Sequence, residues 1–100
     1  MRVLARRTLR VFWESCPANA DAETPLTEWY HHMEQANYHT PQELKAVLRN
    51  ASIVKGGRVV FNIHGNKYRV VVSIRYDWQM VYVKFVGTHA EYDKIDVETV

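Results

Sequence analysis

From Arg58 onward, apolar and polar residues alternate. Val59, Phe61 and Ile63 stand between Arg58, Val60, Asn62 and His64. Beyond Gly65-Asn66, Tyr68, Val70, Val72 and Ile74 stand between Lys67, Arg69, Val71, Ser73 and Arg75. A period of two marks a half-buried strand. A Gly-Asn pair between two such runs predicts a two-residue hairpin turn, because Gly takes the positive φ the turn needs. That turn sets Ile63 opposite Tyr68, Phe61 opposite Val70 and Val59 opposite Val72, all apolar. It sets His64 opposite Lys67, Asn62 opposite Arg69 and Arg58 opposite Ser73, mostly polar. A slip of one residue would destroy this agreement. A second turn near Asp77-Trp78 sets Ile74 opposite Val81, Val72 opposite Val83, Val70 opposite Phe85 and Lys84 opposite Val71. Three antiparallel strands then present one apolar face, which another layer must cover. The other face bears Asn62, His64, Lys67, Arg69, Arg75, Tyr82 and Lys84.

Upstream the period changes. Leu9, Phe12 and Trp13 recur at helical spacing and predict a helix over Arg6 to Ser15, which Pro17 and Asn19 break. Thr24-Pro25 predicts the start of a second helix with a stripe of Leu26, Trp29, Tyr30, Met33 and Ala36. Thr40-Pro41-Gln42-Glu43 repeats the start signal with Glu43 at the capping-box position. Leu44, Val47 and Leu48 face that helix inward, and Asn50 ends it. Met1 to Leu4 and Ala51 to Val54 have the length of short edge strands. The expectation is α+β: N-terminal helices packed on a small antiparallel sheet of three to four strands, with residues 1–100 as one domain.

Composition narrows the class. One hundred residues, 47% of them apolar, suffice for one modest core. No apolar run approaches the roughly 20 residues that span a bilayer, so no membrane contact is expected. The start MRVLARRTLR has charges but no apolar stretch after them, so no signal peptide is expected. The single Cys16 cannot form an internal disulfide, which suits a reducing, cytoplasmic setting. Neither His-x-x-x-His nor Cys-x-x-Cys spacing occurs, so no metal and no cofactor is expected.

The net charge of +2 hides a pattern. Residues 1–16 carry four Arg against Glu14, and residues 17–54 carry five acids against Lys45 and Arg49. Residues 55–94 carry seven bases against Asp77, Glu91 and Asp93. The basic excess on the first segment and the strands suits a phosphate-bearing partner. A solvated sheet face would carry the same charges, and charge alone does not choose.

The polar face supplies candidate chemistry. Arg69 projects from the central strand beside Asn62, with Lys67 and Lys84 on the same face. His89 falls just past the last strand, and a helical turn would bring Tyr92 near it. Cations, a group titrating near neutrality and a phenol suit cleavage of RNA. The 2′-OH attacks the adjacent phosphorus, a base takes its proton, an acid protonates the 5′-oxygen, and cations hold the phosphoryl charge. Tyr92 serves equally as a surface on which a base stacks. The blander alternatives are an exposed cross-strand Arg69 and a loop His89 bonded to backbone. His64, opposite Lys67, invites a two-histidine scheme, but a His beside a tight turn is commonly just solvated. Trp13, Trp29 and Tyr30 lie on helical stripes and read as core.

Particular strings carry a resemblance. Arg6-Arg7-Thr8-Leu9-Arg10, Phe12-Trp13-Glu14, Trp29-Tyr30 and Thr40-Pro41 resemble the first half of HigB-type toxins of bacterial type II toxin–antitoxin modules. Val59 to Ile63, Gly65-Asn66-Lys67-Tyr68-Arg69 and the run from Val81 to Asp96, with Thr88-His89-Ala90-Glu91-Tyr92-Asp93 inside it, resemble the second. The resemblance implies a RelE-like fold and metal-independent mRNA cleavage, typically on the translating ribosome. It implies a HigA-type helix-turn-helix antitoxin as partner, and promoter DNA as a partner only through that complex. By the same resemblance Arg69 contacts phosphate, His89 and Tyr92 lie where acid–base groups stand, and Lys67 lies in the matched turn. Lys84, Asn62, His64 and Arg75 are the expected further RNA contacts. Two positions depart from the family pattern: His64 stands where a Lys is expected, and Lys84 where an Arg is expected, losing bidentate phosphate contact. The competing hypothesis is a non-catalytic module that binds the ribosome or the antitoxin and arrests translation without cutting. A stand-alone DNA-binding repressor is disfavoured, since no helix-turn-helix with a basic recognition helix is evident.

Overall fold

The alternation of residues 58–75 becomes a hairpin in the computed structural model, which describes residues 1–100. Strands β3 (Arg58–Ile63) and β4 (Tyr68–Arg75) pair in the expected register, with Ile63 opposite Tyr68, Phe61 opposite Val70 and Asn62 opposite Arg69. The Lys67 amide donates to the His64 carbonyl at 3.3 Å, and Gly65 takes φ +67°. His64 itself takes φ +55°, a left-handed conformation that costs a side-chain-bearing residue about 1–2 kcal/mol.

The second hairpin, β4 to β5 (Met80–Thr88), departs from expectation halfway. Ile74 opposes Val81 and Val72 opposes Val83 as predicted. A bulge then falls between Val71 and Val72, and Lys84 becomes the extra residue. Phe85 opposes Val71, Val86 opposes Val70, Gly87 opposes Arg69 and Thr88 opposes Tyr68. The predicted Val70–Phe85 and Val71–Lys84 pairs therefore do not form. The slip is physically sensible: it turns Val86 onto the core and sets a glycine across from Arg69. A Cβ on Gly87 would come within 2.5 Å of the Phe85 ring.

The sheet is larger than expected, and mixed. Its order is β1-β5-β4-β3-β2, where β1 is Arg2–Leu4 and β2 is Ser52–Val54. β2 runs antiparallel to β3, whereas β1 runs parallel to β5 and sets Val3 beside Val81. The expected antiparallel sheet of three to four strands is thus corrected to five strands with one parallel edge. A three-residue strand is too short to show alternation, and parallel pairing leaves no local turn signal.

Helices α1 (Arg6–Glu14), α2 (Glu23–Gln35) and α3 (Pro41–Val47) cover one face. The first helix ends at Glu14, before Pro17, as expected, but Pro17 does not begin a loop. It opens a 3-10 helix, Pro17–Ala22, that runs into α2 one residue before the predicted Thr24 cap. Pro25 is tolerated because amides of the first turn have no intrahelical acceptor. Thr40 does cap α3: its Oγ1 accepts from the Glu43 amide at 3.1 Å. The Glu43 carboxylate reaches the His39 amide, so the reciprocal half of the box is displaced by one residue. Leu9, Leu26, Trp29, Met33 and Leu44 pack on Val59, Phe61, Ile63, Tyr68, Val70, Val72, Ile74 and Val81 in one buried cluster. Edge-on contacts of Trp29 with Phe61 and of Phe12 with Tyr68 join the layers. No helix is long and apolar enough to cross a membrane.

Not every helix is N-terminal. A short helix, α4 (His89–Tyr92), follows the sheet, and the chain then returns along the second face. At one end the Arg69 guanidinium lies over the Tyr92 ring, and at the other Arg58 Nη2 donates to the Val100 carbonyl at 2.7 Å. Val60 and Val71 lie between these anchors and are 3% and 0% exposed. The face expected to be polar and open is in part a second buried layer.

Candidate active site

Arg69, Lys67, His64, His89 and Tyr92 collect at one end of the sheet, where the β3–β4 turn, the 3-10 helix and α4 meet. Arg69 is the best-buried charged residue there, at 9% exposure. Its Nη1 donates to the Asn66 carbonyl at 3.0 Å and the Tyr68 carbonyl at 3.3 Å. Its guanidinium stands 5.7 Å from the Tyr92 ring centroid. A cation held by carbonyls on one side and an aromatic ring on another is fixed in place without being neutralised, since no carboxylate lies within salt-bridge reach of it.

α4 is short, yet its start is well fixed. Thr88 Oγ1 accepts from the Glu91 amide at 3.2 Å, and the Glu91 carboxylate accepts from the Thr88 amide at 2.8 Å. This complete capping box satisfies two amides that the helix start leaves free. The His89 amide donates to the Lys67 carbonyl at 3.1 Å, which ties α4 to the hairpin turn. The His89 imidazole stays half exposed, with Nε2 3.5 Å from an Asp93 carboxylate oxygen one helical turn on.

Asp21, on the 3-10 helix, organises the other side. Its carboxylate accepts hydrogen bonds from Lys67 Nζ and from the Tyr68 hydroxyl, and His64 Nε2 lies 3.6 Å away. The Lys67 ammonium beside it, with the Tyr68 hydroxyl, holds the Asp21 carboxyl below its ordinary range. Asp21 in turn raises Lys67. Burial, with the Asp21 charge adding to it, raises the Tyr68 phenol. Lys67 thus stays cationic and half exposed near neutrality, anchored at one point and open on its other sides.

Comparison with known proteins decides the family. Residues 22–95 match the family model described as HigB_toxin, RelE-like toxic component of a toxin–antitoxin system. The chain is 30% identical over 95 residues to the mRNA interferase toxin HigB of Escherichia coli (strain K12), covering 93% of this chain and 88% of that protein. The mRNA interferase HigB of Shigella flexneri matches to the same extent. That of Escherichia coli O6:H1 is 29% identical over 72 residues, 70% of each chain. The chain belongs to the HigB toxin family. Membership implies an antitoxin as partner.

Within this HigB-family fold the expected site residues divide into those gathered and those left apart. Arg69, Tyr92, His89, Lys67 and His64 share the turn end. Asn62 is exposed and paired with Arg69, and also edges a groove lined by Trp29, Leu48 and Phe61. Lys84 sits on the bulge with its ammonium 5.9 Å from the Tyr82 ring, three positions before the Gly87 that opposes Arg69. Arg75 ends β4 at the far side of the sheet, paired with Asp77 at 3.3 Å and stacked 4.5 Å from Trp78. The structure does not bring Arg75 to the turn end. Sequence reasoning missed Asp21, whose partners lie 46 and 47 positions away. It also missed the Thr88–Glu91 box, although Thr-x-x-Glu is a readable signature.

Proposed function

We propose that this HigB-type toxin is an mRNA interferase, an endoribonuclease that cleaves mRNA without a metal, on the translating ribosome, and so inhibits translation. The observation that carries the reading is Arg69, almost fully buried beside the sheet yet unpaired with any carboxylate, against the helix that presents His89 and Tyr92. Arg69 takes a non-bridging phosphoryl oxygen, and Lys67 adds a second positive charge at the rim. His89, the imidazole on the helix that carries Tyr92, moves the proton as the 2′-oxygen attacks or the 5′-oxygen departs. Tyr92 packs against Arg69 and offers its ring to a base. Asn62, His64 and Lys84 extend the RNA path along the face, and Arg75 contacts RNA only where the strand continues to the far end of β4. The antitoxin is of the HigA helix-turn-helix kind, and promoter DNA is met through that complex.

The test is primer extension on one reporter mRNA, both in a cell-free translation reaction and as naked transcript. Cuts confined to the translated message are expected from the purified protein. His89→Ala and Arg69→Ala each should lower cutting by about 10²-fold or more. Translation arrest with no cuts in either reaction would overturn catalysis in favour of a binding module. Unchanged cutting by both variants would overturn the residue assignments.

A further inference from the structure

The outward side of α1 carries a basic cleft that the turn-end site does not use. It is lined by Arg6, Arg7, Arg10 and Trp13. Arg6, Arg10 and Trp13 follow one another at i, i+4 and i+7, so they form a stripe, and Arg7 flanks Arg10 one turn earlier. α1 buries Leu9 and sets Phe12 against Tyr68, on the apolar face of the sheet. Arg69 and Tyr92 lie on the opposite face. The two basic regions are therefore on different sides of the molecule.

The three guanidinium groups are poorly compensated. The one carboxylate within salt-bridge reach is Glu14, 4.0 Å from Arg10 Nε, with both side chains 59% exposed. Arg6 lies over the Tyr30 ring at 5.1 Å, which orients its guanidinium without neutralising it. Every base in residues 1–16 is Arg and none is Lys. Solubility would be served by either; planar, forked donation to phosphate oxygens is served by Arg. The aromatic wall adds a second preference. A base stacks on an indole face whatever its identity, so three guanidiniums around one Trp match a phosphate-and-base unit better than an acidic peptide.

We propose that the α1 cleft is a second RNA site, in which Arg6, Arg7 and Arg10 hold backbone phosphates of a single-stranded stretch and Trp13 packs on a base. It rests on the reading that RNA is this toxin's substrate, and adds a surface that anchors RNA away from the point of cutting. On a large ribonucleoprotein such an anchor would set how the toxin sits rather than what it cuts.

The probe is a fluorescein-labelled 2′-O-methyl RNA of mixed sequence, which keeps phosphates and bases but lacks the nucleophile for cleavage. Its binding is followed by anisotropy across a salt series. Compared with wild type, a triple Arg6→Gln, Arg7→Gln, Arg10→Gln protein should bind about tenfold more weakly or worse at low salt. Its log–log salt slope should be shallower by about 2, since each phosphate contact in single strands contributes about 0.7. Lys55→Gln, an exposed base elsewhere, should change neither by a comparable amount. Gln matches Arg closely in helix propensity, and circular dichroism checks that the triple variant folds. Should it not fold, Trp13→Phe decides: RNA should quench wild-type tryptophan emission and quench this variant's much less. A triple variant that binds like Lys55→Gln, equal quenching of Trp13→Phe, or no RNA binding by wild type would overturn the site. So would Arg-dependent binding of poly-glutamate without Arg-dependent binding of RNA. Primer extension separates the two readings. Arg-dependent binding without cuts upholds the cleft and sinks the nuclease, whereas cuts without Arg-dependent binding do the reverse.

Discussion

Asp21 shows how one carboxylate can tie three segments together. It bonds Lys67 from the turn and Tyr68 from β4, and lies beside His64. Tyr68 is fully buried, so losing its hydroxyl removes a bond to a charged group. Tyr68→Phe should lower stability by about 1–2 kcal/mol in urea unfolding. The pH dependence follows from the directions of the shifts. Asp21 is lowered in the folded chain, so its contribution is present above its ordinary value of 3.8 and is lost as pH falls through the lower folded value. Lys67 is raised above 10.5, so its contribution holds below that value and is lost only as pH rises through the higher folded one. Stability from this cluster should therefore be flat across neutral pH, and Asp21→Asn should remove part of the acid-limb loss in a pH series of thermal melts. The nearness of His89 and Tyr92 to the strand end that carries Lys67 and Arg69 was legible in the sequence, because strand parity and helical spacing are local rules. Asp21 was not, because what makes it matter is a tertiary approach of residues far apart in the chain.

Between elements, the bulge at Lys84 sets where α4 lands. Removing Lys84 would leave Val83 opposite Val72 and Phe85 opposite Val71, an unbroken ladder with the same faces. A Lys84 deletion should thus stay folded, but without the local twist that aims Thr88 and His89 at the turn. Cutting should fall by about 10²-fold, the scale of a small misplacement of catalytic groups. Lys84→Ala keeps the bulge and should lose less, which primer extension on the pair would show. Thr88→Ala removes the cap that starts α4 and should cost about 1 kcal/mol, with Thr88→Ser restoring both order and cutting. The first hairpin could be read to the residue because turn chemistry and face agreed. The second could be read only as far as Val72 and Val83, because alternation counts carry no mark for an extra residue.

For the whole molecule, the second face changes the picture most. Val60 and Val71 are apolar positions within the polar row, and the sequence showed them; what covers them it did not show. Shortening the chain after Asp96 removes the Val100 carbonyl that accepts from Arg58 Nη2. It should cost about 1–2 kcal/mol in urea unfolding, the scale of one hydrogen bond to a charged group. The helix-on-sheet layout was likewise legible, and Met1 to Leu4 has the length of an edge strand, but its parallel pairing with β5 was not legible, because β1 has no partner near it in sequence. That strand has a consequence for how the toxin is born. Arg2 pairs with Met80, and Val3 with Val81. During synthesis β1 has no seat until β5 has emerged, so its docking is a late, long-range step. The central strand β4, which carries Arg69, also lacks its β5 neighbour until then.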